Sequence, residues 1–168
     1  MHCPKPFHGM TLVDLMASLG AVALALALGI PTFRDIQRDM HRIQVMHALK
    51  ASFSLARAEA LRRGTPVTVC HSPDGTACST DSQPDWSKGW IVTTSERGGP
   101  LLLQRSFHQG HGFALRSDSN IGRAVTFASN GIPKTSGRFV YDDGRKTCQL
   151  RLIPLGRLEP DQSNPACL

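Results

Sequence analysis

The side chains with a capacity for chemistry are few and widely spaced. Cysteines stand at Cys70, Cys78, Cys148 and Cys167, with Cys3 apart from them near the start. Thiols can ligate a metal or pair oxidatively. None of these spacings is the Cys-x₂₋₄-Cys of zinc knuckles, so no metal is assigned to them. Disulfides are the reading, with three possible connectivities for the four. The pairs Cys70–Cys78 and Cys148–Cys167 are favoured because each closes a local loop, and each would add about 2–4 kcal/mol by limiting the unfolded chain. His108 and His111 are three apart, but Gly110 and Gly112 mark an irregular loop and no nearby acid completes a ligand set. They read as structural or surface histidines. Serine, histidine and aspartate occur without a nucleophile elbow, and neither a P-loop nor a dinucleotide fingerprint is present. The sequence therefore predicts neither a catalytic centre nor a cofactor. Trp86 and Trp90 flank Gly89 and read as core anchors near a loop.

One further group stands out by its position. Asp14 directly precedes a run of 19 residues, 15–33, that carries no charge. At 1.5 Å per residue this run approaches the roughly 30 Å hydrocarbon core of a bilayer. A carboxylate so placed is costly unless it finds a partner. Before it come Gly9 and Met10, and before those a short polar segment with Lys5 and two prolines, which argue against helix. An ordinary secretory signal has a basic region, a shorter apolar region and then a cleavage site. Here the glycine and the acid come before the apolar run.

The elements that position these groups follow from the pattern. A chain of 168 residues accommodates one domain plus an anchor. Its 19 basic and 13 acidic residues give a net charge of +6, scattered rather than clustered, which permits an anionic partner without naming one. Alanine and leucine dominate from residue 15 to 28, so a long helix starts at Met10. Pro31 predicts a kink or local melting near the outer end of the run. Over 34–63 the helix becomes amphipathic, with Ile36, Met40, Ile43, Met46, Phe53, Ala56 and Ala60 as its apolar stripe. Gly64-Thr65-Pro66 ends it. The remainder alternates as strands, at 66–70, 89–95, 101–107, 113–116, 124–128, 138–142 and 147–153. Turn signals such as Asn130-Gly131 and Asp143-Gly144 separate the later ones, and a polar loop covers 79–88. The tail from Glu159 is rich in proline and polar residues. The expected class is α+β: a long kinked N-terminal helix, first transmembrane and then amphipathic, packed on an antiparallel β domain.

The series Gly9-Met10 and Asp14 before an apolar helix resembles the class III signal of type IV pilins and type II secretion pseudopilins. Further stretches narrow the likeness: Ala56-Arg57-Ala58-Glu59-Ala60-Leu61-Arg62-Arg63-Gly64, Asp85-Trp86-Ser87-Lys88-Gly89-Trp90, Phe127-Ala128-Ser129-Asn130-Gly131 and Leu155-Gly156-Arg157. Together these are similar to the FimT/GspH family of minor pilins and pseudopilins. That resemblance implies a leader, 1–9, removed between Gly9 and Met10 by a prepilin peptidase, with methylation of the new Met10 amine. Cys3 and Lys5 leave with the leader, so the charge falls to +5 (18 basic against 13 acidic). It implies a membrane and filament-core helix over 10–33, an amphipathic half over 34–64 and a periplasmic β domain over 65–168. Asp14 falls where the family usually has glutamate and Met10 where it usually has phenylalanine. The implied role of Asp14 is to meet the N-terminal amine of a neighbouring subunit, and Pro31 matches a proline that helps the subunit leave the inner-membrane lipid. Ala17, Gly20, Ala21, Ala25 and Gly29 would allow close helix approach, or are simply good membrane-helix residues. The implied partners are other major and minor pilins or pseudopilins, in a type IV pilus or in a type II secretion pseudopilus. Some family members bind DNA through a C-terminal Gly-Arg-x-Arg. Gly156-Arg157-Leu158-Glu159 keeps one arginine and puts an acid in place of the second, which weakens an electrostatic site, although Arg145, Lys146, Arg151 and Arg157 remain as a basic set.

Overall fold

Thr11 starts the long helix by a reciprocal cap. Its hydroxyl accepts from the Asp14 N–H at 3.3 Å, while Asp14 Oδ2 accepts from the Thr11 N–H at 3.1 Å and from its hydroxyl at 2.8 Å. This is a capping box with aspartate as the acid. In the computed structural model, residues 11–94, 99–106 and 112–161 are described, the side chains of 28–32 excepted. Helix α1 runs over Leu12–Arg63. Its helical assignment continues through residues 28–32, where the sequence predicts a kink or local melting at Pro31. Among the described residues no helix is long and apolar enough to cross a membrane. The charge-free run predicted to do so includes the five positions, 28–32, whose side chains lie outside the described set.

Chain contacts divide the protein into two units, Met1–His41 and Arg42–Leu168. In the first, the described apolar side chains of α1 are exposed, from Leu12 to Phe33 and on to Met40.

In the second unit α1 packs into the domain, and the predicted stripe is corrected. Ile36, Met40 and Ile43 are exposed, whereas Val45, Met46, Leu49, Phe53, Ala56 and Ala60 are buried. Two apolar stripes coexist on this helix, and spacing alone does not say which one finds a partner. Gly64 closes the helix by donating its N–H to the Ala60 carbonyl at 3.0 Å.

The strands form two four-stranded antiparallel sheets. The first orders β3 (Leu101–Arg105), β2 (Trp90–Thr93), β1 (Val67–His71) and β5 (Ala124–Phe127). The second orders β4 (Ala114–Ser117), β6 (Gly137–Asp142), β7 (Thr147–Leu152) and β8 (Leu158–Pro160). Strand β8 was not expected from the polar tail, and the loop 79–88 holds an unpredicted short 3-10 helix at Trp86–Lys88. Period-two alternation sends Val67, Val69, Val92, Val125 and Phe127 inward from one sheet, and Leu115, Phe139, Tyr141, Leu150 and Leu152 from the other. Phe53 of α1 stands edge-on to both sheets, 6.0 Å from Phe127 and 5.6 Å from Phe139 between ring centroids. Beside it, the Trp90 indole donates to Ser52 Oγ at 2.8 Å, and that hydroxyl donates to the Ala48 carbonyl at 2.8 Å.

Phe53→Ala should cost roughly 3–5 kcal/mol, the usual range for emptying an aromatic site in a core. Ser52→Ala strands the buried indole N–H and should cost about 1–3 kcal/mol. Both are measurable by denaturant unfolding followed by the fluorescence of Trp86 and Trp90, the two tryptophans of the chain. At the end of α1, Arg62 and then Arg63 hold the Glu59 carboxyl down to about 2. Its folded value is depressed, so the pairing contributes fully above the ordinary glutamate value near 4.3 and is lost as pH falls towards 2. The difference in melting temperature between the native chain and Glu59→Gln should be constant from pH 5 to 8 and shrink between about pH 4 and 2.

Candidate assembly surface

The stretches that carry the family resemblance turn out to hold the domain together. In Asp85–Trp90, Asp85 Oδ1 accepts from the Ser87 N–H at 3.1 Å and caps the 3-10 helix. That turn drives Trp86 into the core, 5.0 Å from Phe139 and edge-on, with its indole donating to the Gly122 carbonyl at 3.2 Å. Gly89 has φ +129°, and a Cβ there would lie 2.6 Å from the Arg105 carbonyl oxygen. Ala56 and Ala60 are fully buried, and their small size lets α1 lie close to the sheets. Glu59 receives Arg62 at 2.7 Å and Arg63 at 2.5 Å. Gly156 adopts φ +77°, and a Cβ there would meet Phe127 Cε1 at 2.9 Å. Apart from the surface ion pairs of Glu59, these positions are fixed by packing and capping.

Cys70 and Cys78 are joined by a disulfide with Cα atoms 5.5 Å apart, closing the loop that leaves β1. Asp74 anchors the loop from within, accepting from Ser72 Oγ at 2.9 Å and Thr76 Oγ1 at 2.6 Å. Thr76 and then Ser72 hold its carboxyl well below the usual range. Cys148 is also disulfide-bonded. Cys167, expected as its partner, lies outside the described residues, as do Gly9, Met10, His108 and His111. His71, beside the first disulfide, is buried within 6.4 Å of the Trp86 ring, and burial pushes its pKa down. Sequence reading missed it because an isolated histidine in a strand gives no signal.

The four basic residues do not converge. Arg145 and Lys146 sit in the turn before β7, where both backbone N–H groups donate to Asp143 Oδ1 at 2.9 and 2.8 Å. Arg157 sits in the turn after β7. At about 3.3 Å per residue, the strand holds the two ends roughly 20 Å apart. Arg151 lies between them, with Arg138 opposite on β6 and Glu159 opposite on β8. A shallow cleft there is lined by Arg151, Ile153, Glu159, Pro160 and Asp161, two carboxylates to one guanidinium. A second, polar groove includes Asp85, Arg116 and Asp118. Its carboxylates are committed to backbone: Asp118 accepts from the Ile121 and Arg138 N–H groups at 3.0 and 2.8 Å. Among the described residues no group of His, Cys, Asp or Glu side chains could hold a metal ion.

What is left exposed and unexplained by the fold is apolar. Leu12, Val13, Met16, Leu19 and Leu24 are each more than 60% exposed on the first part of α1, with Asp14 among them. So long a series of exposed aliphatic side chains marks a surface that another body covers.

Comparison with known proteins agrees with an assembly role. The model of the family described as type II transport protein GspH matches residues 46–156. Two crystal structures of the type IV minor pilin FimU from Pseudomonas aeruginosa share the fold. One is 20% identical and covers 73% of this chain and 96% of that one, with a TM-score of 0.54. The other is 18% identical and covers 81% and 99%, with a TM-score of 0.58. No curated protein matches the chain. The matched residues take in the buried half of α1, both tryptophans and Gly156, and the protein belongs to the GspH family, the GspH/FimT-like minor pilins and pseudopilins.

Proposed function

We propose that the protein is a minor filament subunit, built into a type IV pilus or the pseudopilus of a type II secretion system, where it primes or caps assembly. The observation that carries this is the pairing of two surfaces on one helix. The part of α1 from Val45 to Ala60 is buried as the spine of the domain, while the part from Leu12 to Met40 offers aliphatic side chains to a neighbour. In this reading the prepilin peptidase cuts between Gly9 and Met10, the new amine is methylated, and residues 10–33 hold the subunit in the inner membrane with its β domain in the periplasm. The 19-residue charge-free run supports that anchor. On assembly the helices exchange lipid contacts for contacts with one another. Asp14 then serves two ends. Its Oδ2 caps its own helix through Thr11, and the carboxylate meets the N-terminal amine of the adjacent subunit. Pro31 eases exit from the membrane.

The alternative, a tip module that captures DNA through Arg145, Lys146, Arg151 and Arg157, has no comparable observation behind it. Those residues are spread along β7, and Glu159 stands beside them. Phosphate binding gains from cations gathered together, not from cations interleaved with carboxylates.

The mass of the N-terminal peptide of protein taken from its native membrane tests this reading. A chain beginning at methylated Met10, co-sedimenting with sheared filaments, is the expected result. Asp14→Ala should still be processed and should fall at least tenfold in the filament fraction. A chain that keeps residues 1–9 and is absent from filaments overturns the proposal.

A further inference from the structure

A second exposed apolar cluster lies at the other end of α1, on the domain itself. Leu61, in the last turn of the helix, is 53% exposed and lies against Gly131, where a Cβ would come within 2.9 Å of Leu61 Cγ. Ile132 follows, 52% exposed. The Gly131 carbonyl oxygen lies 3.3 Å from the place of a Cβ on Gly156, so the turn after β5 touches the turn between β7 and β8. Leu155, beside Gly156 in that turn, is 65% exposed. Three elements distant in sequence thus bring one aliphatic side chain each to the same corner, and the core uses none of the three.

Exposed cations adjoin each of them along the chain. Arg62 and Arg63 adjoin Leu61, Lys134 is two residues beyond Ile132, and Arg157 is two beyond Leu155, all four exposed. Half-buried Arg57 stands one helical turn before Leu61. Of the acids near them, Glu59 is already shared by Arg62 and Arg63, and Glu159 stands two residues beyond Arg157, so the cations still outnumber the carboxylates. An apolar centre with a charged rim is the anatomy of a specific protein interface: the centre supplies burial, and the rim supplies orientation and rate.

We propose that Leu61, Ile132 and Leu155 form a docking surface for a different protein chain, one that presents an apolar side chain flanked by carboxylates. Charge complementarity selects that occupant. A second copy of this chain would set the same cations against themselves, and like charges across an interface are costly. Nucleic acid would gain nothing from three aliphatic side chains, since single strands are held by stacking on aromatic rings, and the nearest such ring, Phe127, is fully buried beneath Gly156. A lipid surface is commonly met by tryptophan or tyrosine at the headgroup level, and the patch has neither among its described residues. The proposal stands independently of processing at Gly9.

The test is site-specific photo-cross-linking of the full chain in its own cells, with a photo-reactive phenylalanine analogue in place of Leu155 and, as control, of exposed Ser119. The expected product from position 155 is one other protein, joined at a peptide that carries aspartate or glutamate beside an apolar residue, with no such product from position 119. Arg157→Glu combined with Lys134→Glu should lower its yield at least tenfold while leaving the melting temperature unchanged. Products with a second copy, with nucleic acid or with lipid would each overturn the proposal. So would the absence of any product, an equal product from position 119, or a yield indifferent to the charge reversals.

Discussion

The domain depends on one ring. Phe53 reaches from α1 into the space between two sheets and meets Phe127 of the first and Phe139 of the second edge-on. The sheets share no strand, so their common core is assembled around the helix. Edge-to-face aromatic pairs add about 0.5–1.5 kcal/mol each beyond the area they bury. Their geometry also fixes rotation, since a helix turned about its axis would withdraw the ring from both partners at once. The Ser52–Trp90 hydrogen bond, one residue away, sets the same rotation through a polar contact. Turn and register of α1 are therefore specified twice, by packing and by a buried hydrogen bond.

The family's recurrent stretches take their meaning from this arrangement. Asp85 caps the short turn that delivers Trp86, Gly89 admits the backbone of β3, and Gly156 admits the ring of Phe127. These are demands of close packing. The apolar side chains that packing leaves facing outward are those along α1 from Leu12 to Met40 and those at the corner of Leu61, Ile132 and Leu155.

Much of the fold was legible from the sequence because its signals are local. The strand at 147–153 alternates strictly, and Asn130-Gly131 and Asp143-Gly144 mark real turns. The helix stop at Gly64 follows from capping chemistry, whereas the sequence reading starts the helix at Met10 and misses the Thr11–Asp14 cap. The rest of what escaped was non-local. The pairing of β1 with β5, across the intervening residues 72–123, makes two sheets out of one series of strands, and no turn signal encodes it. Strand β8 is three residues long and owes its place to the Leu152–Leu158 pairing rather than to its own composition. The helix stripe slipped because Ile36, Met40 and Ile43 are as apolar as the residues that do face the core. The spread of the basic set along β7 is hidden in the sequence, where distance does not show the length of a strand. Leu61, Ile132 and Leu155 drew no notice for the converse reason, being separated in sequence and joined only by turns that touch.

A continuous α1 has a mechanical consequence. Within the domain unit, tension on the helix acts along its backbone from Arg42 to Arg63. The helix meets both sheets through Phe53, so a load along its axis shears Leu49, Phe53, Ala56 and Ala60 past their neighbours together. Contacts loaded in parallel yield at once or not at all, and survival under pull is then governed by the rate of unfolding rather than by equilibrium stability. The Cys70–Cys78 disulfide closes a loop on β1, not on the helix. Under such a pull the helix is the tendon and the aromatic contacts around Phe53 are its insertion.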